Sequence, residues 1–94
     1  SVRCFQYVLM GPDILIYTTN HEFSRTDIPI CRQGNENPKP VVIEDDVWIG
    51  ARVMIMPGVI VRRGCVVGAG TVLTKSFPEN SIIAGNPGRV VKKR

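Results

Sequence analysis

The chain contains one histidine, His21. Its side chain is the type best suited to moving a proton at neutral pH, because an imidazole titrates near an ordinary pKa of about 6.5. Left neutral, it can accept the proton of an attacking hydroxyl or amine. A lone histidine is by default a surface or structural residue, and the residue alone leaves both readings open. A single histidine excludes any metal site that takes two or more His ligands from one chain, the three-histidine zinc site included, so no metal is expected. Asn20 precedes His21 and is either an orienting group or a structural residue. The three cysteines, Cys4, Cys31 and Cys65, are odd in number and lack C-x-x-C spacing, which removes zinc-ribbon and thioredoxin-type chemistry. We read them as reduced thiols of a cytoplasmic protein, with Cys4 and Cys65 at core positions.

The second chemical feature is charge. Twelve Lys and Arg stand against eight Asp and Glu, and four of the twelve, Arg89, Lys92, Lys93 and Arg94, fall within the last six residues. Without them the chain has eight basic and eight acidic residues, so its body is neutral. This is a short basic tail and not the broad basic face of a nucleic-acid binder. It is either a solvated terminus or an anchor for a small anion. No apolar run approaches the roughly 20 residues of a membrane span, and no stretch reads as a signal peptide. Aromatic residues make up 6%, so the core must be aliphatic. Nine Gly and seven Pro argue against a helix bundle.

The elements that must position these residues announce themselves as a repeat of six. From Ile43 onward the first position reads Ile43, Ile49, Ile55, Val61, Val67 and Leu73, and the fifth reads Val47, Val53, Val59, Cys65, Thr71 and Phe77. The same register is present earlier, with Cys4, Met10 and Ile16 at position one and Val8 and Ile14 at position five. Polar residues interrupt it over about residues 22–36, an inserted loop. On this register Asn20 falls at an inward fifth position. A period of six fits neither an amphipathic helix nor a hairpin sheet, which would need regular Asn-Gly or Asp-Gly turns. It fits a short strand followed by a corner, with inward side chains four apart at the strand ends. Three such sides close a coil of about eighteen residues, and the coils stack as a parallel β-helix. Ile43 is then expected on Val61, Ile49 on Val67 and Ile55 on Leu73. The division expected is a coil domain over residues 1–88 and a basic tail over 89–94.

Four segments sharpen this reading: Asn20–Phe23, Val41–Ala51, Val67–Lys75 and Ala84–Pro87. With them the chain resembles the left-handed β-helix, hexapeptide-repeat acyltransferases, in particular the sugar O-acetyltransferases of the galactoside, maltose and capsular-polysaccharide type. The left-handed sense comes from the resemblance, since ordinary crossovers are right-handed. The resemblance implies acetyl transfer from acetyl-CoA to a hydroxyl of a sugar or polysaccharide unit. His21 would be the general base in a direct attack on the thioester. It implies an acetyl-CoA groove lined by Gly50, Ala51, Gly68, Ala69, Thr74 and Lys75, with Arg89 and Lys92 reaching the phosphates. Small residues suit such a groove because backbone can approach the ligand, although corners need glycine in any case. Trp48 is expected to point outward, either near the acyl site with Asn20 or against a loop or neighbouring subunit.

Members of this branch carry a further N-terminal region before the first coils. Here only three hexads precede His21, so the chain is expected to lack that region. A domain of this size buries only about 60–65% of its unfolded surface. Outward apolar residues such as Val42, Trp48, Met54, Ile60, Val66 and Val72 would gain by burial between chains. The resemblance implies a homotrimer with sites at the subunit interfaces. The alternatives are N-acetylation of an amino-sugar and a non-catalytic β-helix scaffold or fragment.

Overall fold

In the computed structural model, which describes residues 1–94, each hexad forms its strand where side chains alternate in and out. Around Trp48 the pattern is Val47 buried, Trp48 57% exposed and Ile49 buried, the period-two alternation of a strand. The inward pair flanking a strand is therefore two apart. The spacing of four expected from the sequence spans the corner instead. At seven corners position four turns the chain through the left-handed region. Asp46, Arg52, Gly58, Gly64 and Gly70 have φ between 57° and 79°, as do Tyr7 and Asp13 in the first coil. Only glycine takes that conformation freely, with Asp and Asn next, so the glycines of hexads Ile55, Val61 and Val67 sit where the turn needs them.

The first coil contains β1 (Val2–Cys4), β2 (Leu9–Met10) and β3 (Leu15–Ile16). The second contains β4 (Val41–Ile43), β5 (Trp48–Ile49) and β6 (Met54–Ile55), and the third β7 (Ile60–Val61), β8 (Val66–Val67) and β9 (Val72–Leu73). β10 (Ser81–Ala84) and β11 (Arg89–Lys93) complete the chain. Parallel pairing stacks β1-β4-β7 as the first face, β2-β5-β8-β10 as the second and β3-β6-β9 as the third. Ile43 pairs with Val61, Ile49 with Val67 and Ile55 with Leu73, the eighteen-residue ladders expected from the sequence. The interior is the ring of position-one and position-five residues, with Val41, Ile43, Ile49, Val53 and Ile55 all at 0% exposure. A fully buried aliphatic side chain contributes about 1.5–3 kcal/mol, and the ladders supply that term coil after coil. The molecule is a rod of 47 × 24 × 24 Å. No helix is long and apolar enough to cross a membrane.

Three sequence expectations change here. Cys65 is buried, but Cys4 is exposed. Cys4 pairs with Ile43 and so lies on the interior ladder, but at the end coil of this chain, where its ring is covered on one side only. The neighbouring Val2 and Met10 are 46% and 44% exposed for the same reason. The excursion is longer than residues 22–36. Partners between the first and second coils are 39 apart, as in Leu15 with Met54, against 18 between the second and third, so it adds 21 residues between β3 and β4. The basic end is a strand: β11 runs antiparallel to β10 along the second face, after a reversal over Gly85–Gly88 that includes the cis Asn86–Pro87 bond.

Candidate active site

His21 lies where the chain leaves the third face. Its backbone forms an isolated antiparallel bridge with Asn35. The Glu22 N–H donates to the Gly34 carbonyl at 2.9 Å, and the Glu36 N–H donates to the Asn20 carbonyl at 2.8 Å. The excursion is thus closed at its neck by a miniature two-stranded ladder, with His21 in it and exposed. Asn20 is exposed as well, which corrects its inward assignment. The hexad register ends at Ile16 because the chain departs there, so counting six further on has no structural meaning. What Asn20 contributes is its carbonyl, at the neck.

Beyond the neck, residues 23–33 fold on themselves. A 3-10 turn covers Ile30–Arg32. The Gln33 amide accepts from the Arg25 N–H at 3.1 Å and donates to the Arg25 and Ile28 carbonyls at 2.8 and 3.1 Å. The Arg25 guanidinium pairs with Asp27. That bond, and secondarily a backbone bond within Asp27 itself, holds the Asp27 carboxyl below its ordinary range. Sequence reasoning singles out the apolar Phe23, Ile28, Pro29 and Ile30 of this loop, as residues to pack on a neighbouring subunit, but not Gln33, because a glutamine in a polar run carries no periodic signal.

The residues expected to hold acetyl-CoA fall on two corners and one face. Gly50, Ala51, Gly68 and Ala69 turn the corner between the second and third faces. Thr74 and Lys75 are exposed at the corner after β9, the same corner from which the His21 excursion leaves. Lys75 Nζ lies 5.6 Å from the centroid of the Phe77 ring. Between the two corners runs the third face, whose outward residues are Leu15, Met54 and Val72. At Gly50 the absence of a side chain has a reason inside the coil: a Cβ would lie 2.7 Å from the Ala69 nitrogen. Gly70, by contrast, opens on free space.

Arg89 and Lys92 are three apart and would point to opposite faces of a regular strand. The ladder between β10 and β11 shifts between Ile82 and Ile83, so Arg89 pairs with Ala84 and Lys92 with Ile82. Ala84 and Ile82 alternate with the buried Ser81 and Ile83, and both basic residues therefore share the outward side. Lys93 instead bonds Ser81 Oγ at 3.1 Å and the Glu79 carbonyl at 3.2 Å. Arg94 bonds Asp46 at 3.2 Å and the Gly64 carbonyl at 3.0 Å. The four tail charges divide into two that fasten the strand and two that face outward.

Trp48 points outward as expected and lines a shallow hollow of about 290 Å³ with Tyr7, Leu9, Val66 and Arg94. His21 lines none of the three surface hollows of the chain. No three His, Cys, Asp or Glu side chains converge as metal ligands would.

Comparison with known proteins identifies the coil. Residues 40–75 match the model described as the hexapeptide repeat of succinyl-transferase. The galactoside O-acetyltransferase of Lactococcus lactis is 37% identical over 87 residues, 93% of this chain and 41% of that protein. The structure of a galactoside acetyltransferase in complex with coenzyme A superposes with a TM-score of 0.87 at 33% identity, over 99% of this chain and 45% of that one. This chain carries the coil of the hexapeptide-repeat acetyltransferases. Its coil is the left-handed parallel β-helix of that family. An N-acyltransferase of Bacillus cereus in complex with dTDP and coenzyme A also superposes, with a TM-score of 0.83 at 25% identity, over 99% of this chain and 52% of that one. The chain spans about two fifths of the length of the Lactococcus relative. Within this hexapeptide-repeat coil, Ala84–Pro87 has a local role that the sequence did not reveal. It reverses the chain into β11, and Gly88 closes the turn where a Cβ would lie 3.0 Å from Thr71 Cγ2.

Proposed function

We propose that this chain is the β-helix of an acetyl-CoA-dependent O-acetyltransferase acting on a hydroxyl of a sugar or polysaccharide unit, with His21 as general base. The observation that carries the reading is the placement of the only histidine. It sits in a backbone-fastened neck at the corner that also bears Thr74 and Lys75, on a coil superposable on an acetyltransferase with coenzyme A. The His21 imidazole takes the hydroxyl proton as the oxygen attacks the thioester carbonyl. The tetrahedral intermediate then collapses, expelling the thiolate, which recovers the proton from the imidazolium. The products are the acetyl ester and free coenzyme A. General-base assistance of this kind is worth about 10²–10⁴-fold. The thioester is already activated, so no covalent enzyme intermediate is required.

The pantetheine arm runs along the third face between the Gly50–Ala51 and Gly68–Ala69 corner and the Thr74–Lys75 corner. The outward pair Arg89 and Lys92 meets the phosphates. Trp48 and Asn20 belong to the acyl or acceptor side. The site is completed by a neighbouring copy in a homotrimer, a reading supported by the outward apolar columns and by the lack of any hollow around His21 within one chain. The exposed thiols of Cys4 and Cys31 fit a reducing compartment such as the cytoplasm.

The likeness to the N-acyltransferase supports a second reading, transfer to an amino-sugar, which would use the same base. The deciding experiment is calorimetry of acetyl-CoA with the chain and its His21→Ala variant, followed by turnover with matched hydroxyl and amine acceptors. We expect micromolar binding by both proteins and at least a ~10²-fold loss of turnover in the variant. Near-normal turnover would remove His21 as the base. Preference for the amine would select the second reading, and no binding by a folded oligomer would select a scaffold.

A further inference from the structure

We infer that Gln33 is a positioning residue for His21: its side-chain amide clamps the excursion shut and so fixes the neck that holds the histidine. The inference rests on the reading of His21 as the base. Gln33 is half-buried in a loop whose other members are mostly exposed. Its amide oxygen and nitrogen make three bonds to main-chain groups of Arg25 and Ile28, the partners a strand neighbour would otherwise supply. Its own N–H donates to the Ile30 carbonyl at 3.0 Å, closing the 3-10 turn. The residues that follow are the neck itself. Gly34 turns with φ of 83°, its carbonyl accepts from Glu22, and Asn35 bridges to His21. The two arms of the excursion are thus tied at three levels, by Gln33 above, by the bridge at the neck and by the bond from the Lys39 N–H to the Thr18 carbonyl at the base.

The backbone of His21 is held on both flanks, while the hexad ladders end at Ile16 and begin again at Val41. The coil holds the excursion only at its base, where the Gly58 N–H donates to the Lys39 carbonyl at 3.2 Å and the Lys39 N–H to the Thr18 carbonyl at 2.7 Å, so the position of His21 beyond that base is set by the neck. With the upper tie cut, the part of the excursion beyond the Thr18–Lys39 bond becomes a flexible loop joined by one isolated bridge, and such a bridge is marginal in water. A displacement of the base by about 1 Å costs up to ~10²-fold in rate. The residues proposed for acetyl-CoA lie on the coil and on β11, outside the excursion, so loss of the clamp should leave its binding intact.

The test compares Gln33→Met, which keeps the size of the side chain and removes all three bonds, with Gln33→Glu, which keeps only the acceptor to Arg25. As the only histidine, His21 has an unambiguous ring resonance. In Gln33→Met we expect that resonance to move to its unstructured position and the Glu22 amide to exchange at least ~10-fold faster, with the Gly50 and Gly68 amides unchanged. With acetyl-CoA and methyl β-galactoside as probe, kcat should fall ~10-fold or more while KM for acetyl-CoA stays within about twofold. Gln33→Glu should fall between wild type and Gln33→Met. In a His21→Ala background Gln33→Met should have no further effect.

An unmoved histidine resonance with unchanged Glu22 exchange overturns the inference, whether or not the galactoside is turned over. So does wild-type kcat in Gln33→Met when His21→Ala is inactive. Near-normal turnover of His21→Ala overturns the base reading and this inference with it. If Gln33→Met does not fold, unchanged resonance and exchange in Gln33→Glu are the overturning result.

Discussion

At the scale of single residues, the four charges of the basic end divide into two pairs. Lys93 and Arg94 are bonded to Ser81, Asp46 and the Gly64 carbonyl, and they fasten β11 to the coil. Arg89 and Lys92 share the outward side, where an anion could meet both. A charged hydrogen bond contributes about 1.5–3 kcal/mol, which is about 10–100-fold in affinity. Arg89→Ala with Lys92→Ala should therefore weaken coenzyme A binding at least ~10-fold, and dephospho-coenzyme A binding much less, by calorimetry. Equal losses for both ligands would mean the pair does not read the 3′-phosphate. The cluster of four charges was legible in the sequence, but its division was not. That division depends on a register shift in a two-strand ladder, and a shift of one residue changes which side chains share a face.

At the scale of the repeating element, the question is why position two after each second-face strand is small. Gly50 meets the backbone of the next coil, with the Ala69 nitrogen 2.7 Å and Cα 3.0 Å from a would-be Cβ. Backbone cannot move aside as a side-chain tip can, so Gly50→Ala overpacks the corner at a cost of about 1–3 kcal/mol. For a domain of this size that lowers Tm by at least ~4 °C, readable by calorimetric melting. If Gly50 were small only for ligand approach, the same variant would keep its Tm and lose coenzyme A affinity. The excursion is the other irregular element. Its existence was legible as a break in hydrophobic period, but its bounds were blurred because Asn20 happens to fall on the count of six. Its internal order rests on the side-chain amide of Gln33 and on the His21–Asn35 bridge, which pairs residues fourteen apart by backbone geometry alone.

At the scale of the whole molecule, a rod this narrow leaves many large apolar groups at the surface. Trp48, Val66, Met54 and Val72 point outward, and Trp48 remains more than half exposed. Contiguous apolar columns of this kind mark protein contacts. We expect light scattering to give three times the 10.4 kDa chain mass. Met54→Glu, which places a carboxylate on the third face, should shift the protein toward single chains and weaken acetyl-CoA binding in parallel. Single chains that bind acetyl-CoA as tightly as the oligomer would show that the site needs no neighbour.

The sequence by itself determined the coil. Aliphatic residues at most of positions one and five set the eighteen-residue ladders, the inward ring and the outward column, because an inward-facing ring buries those side chains and takes a polar one such as Thr71 only with a hydrogen-bond partner. It also singled out His21, the break in the repeat and the charged end. Tertiary structure alone decided where each of these is placed. Cys4 shares the repeat with Cys65 yet is exposed, since burial depends on having coils on both sides. Asn20 keeps the count but leaves the ring, since the chain has already departed from the coil. The neck around His21, the shared outward side of Arg89 and Lys92, and the crowding at Gly50 all arise between segments distant in sequence, where no local pattern can record which backbone will lie beside which.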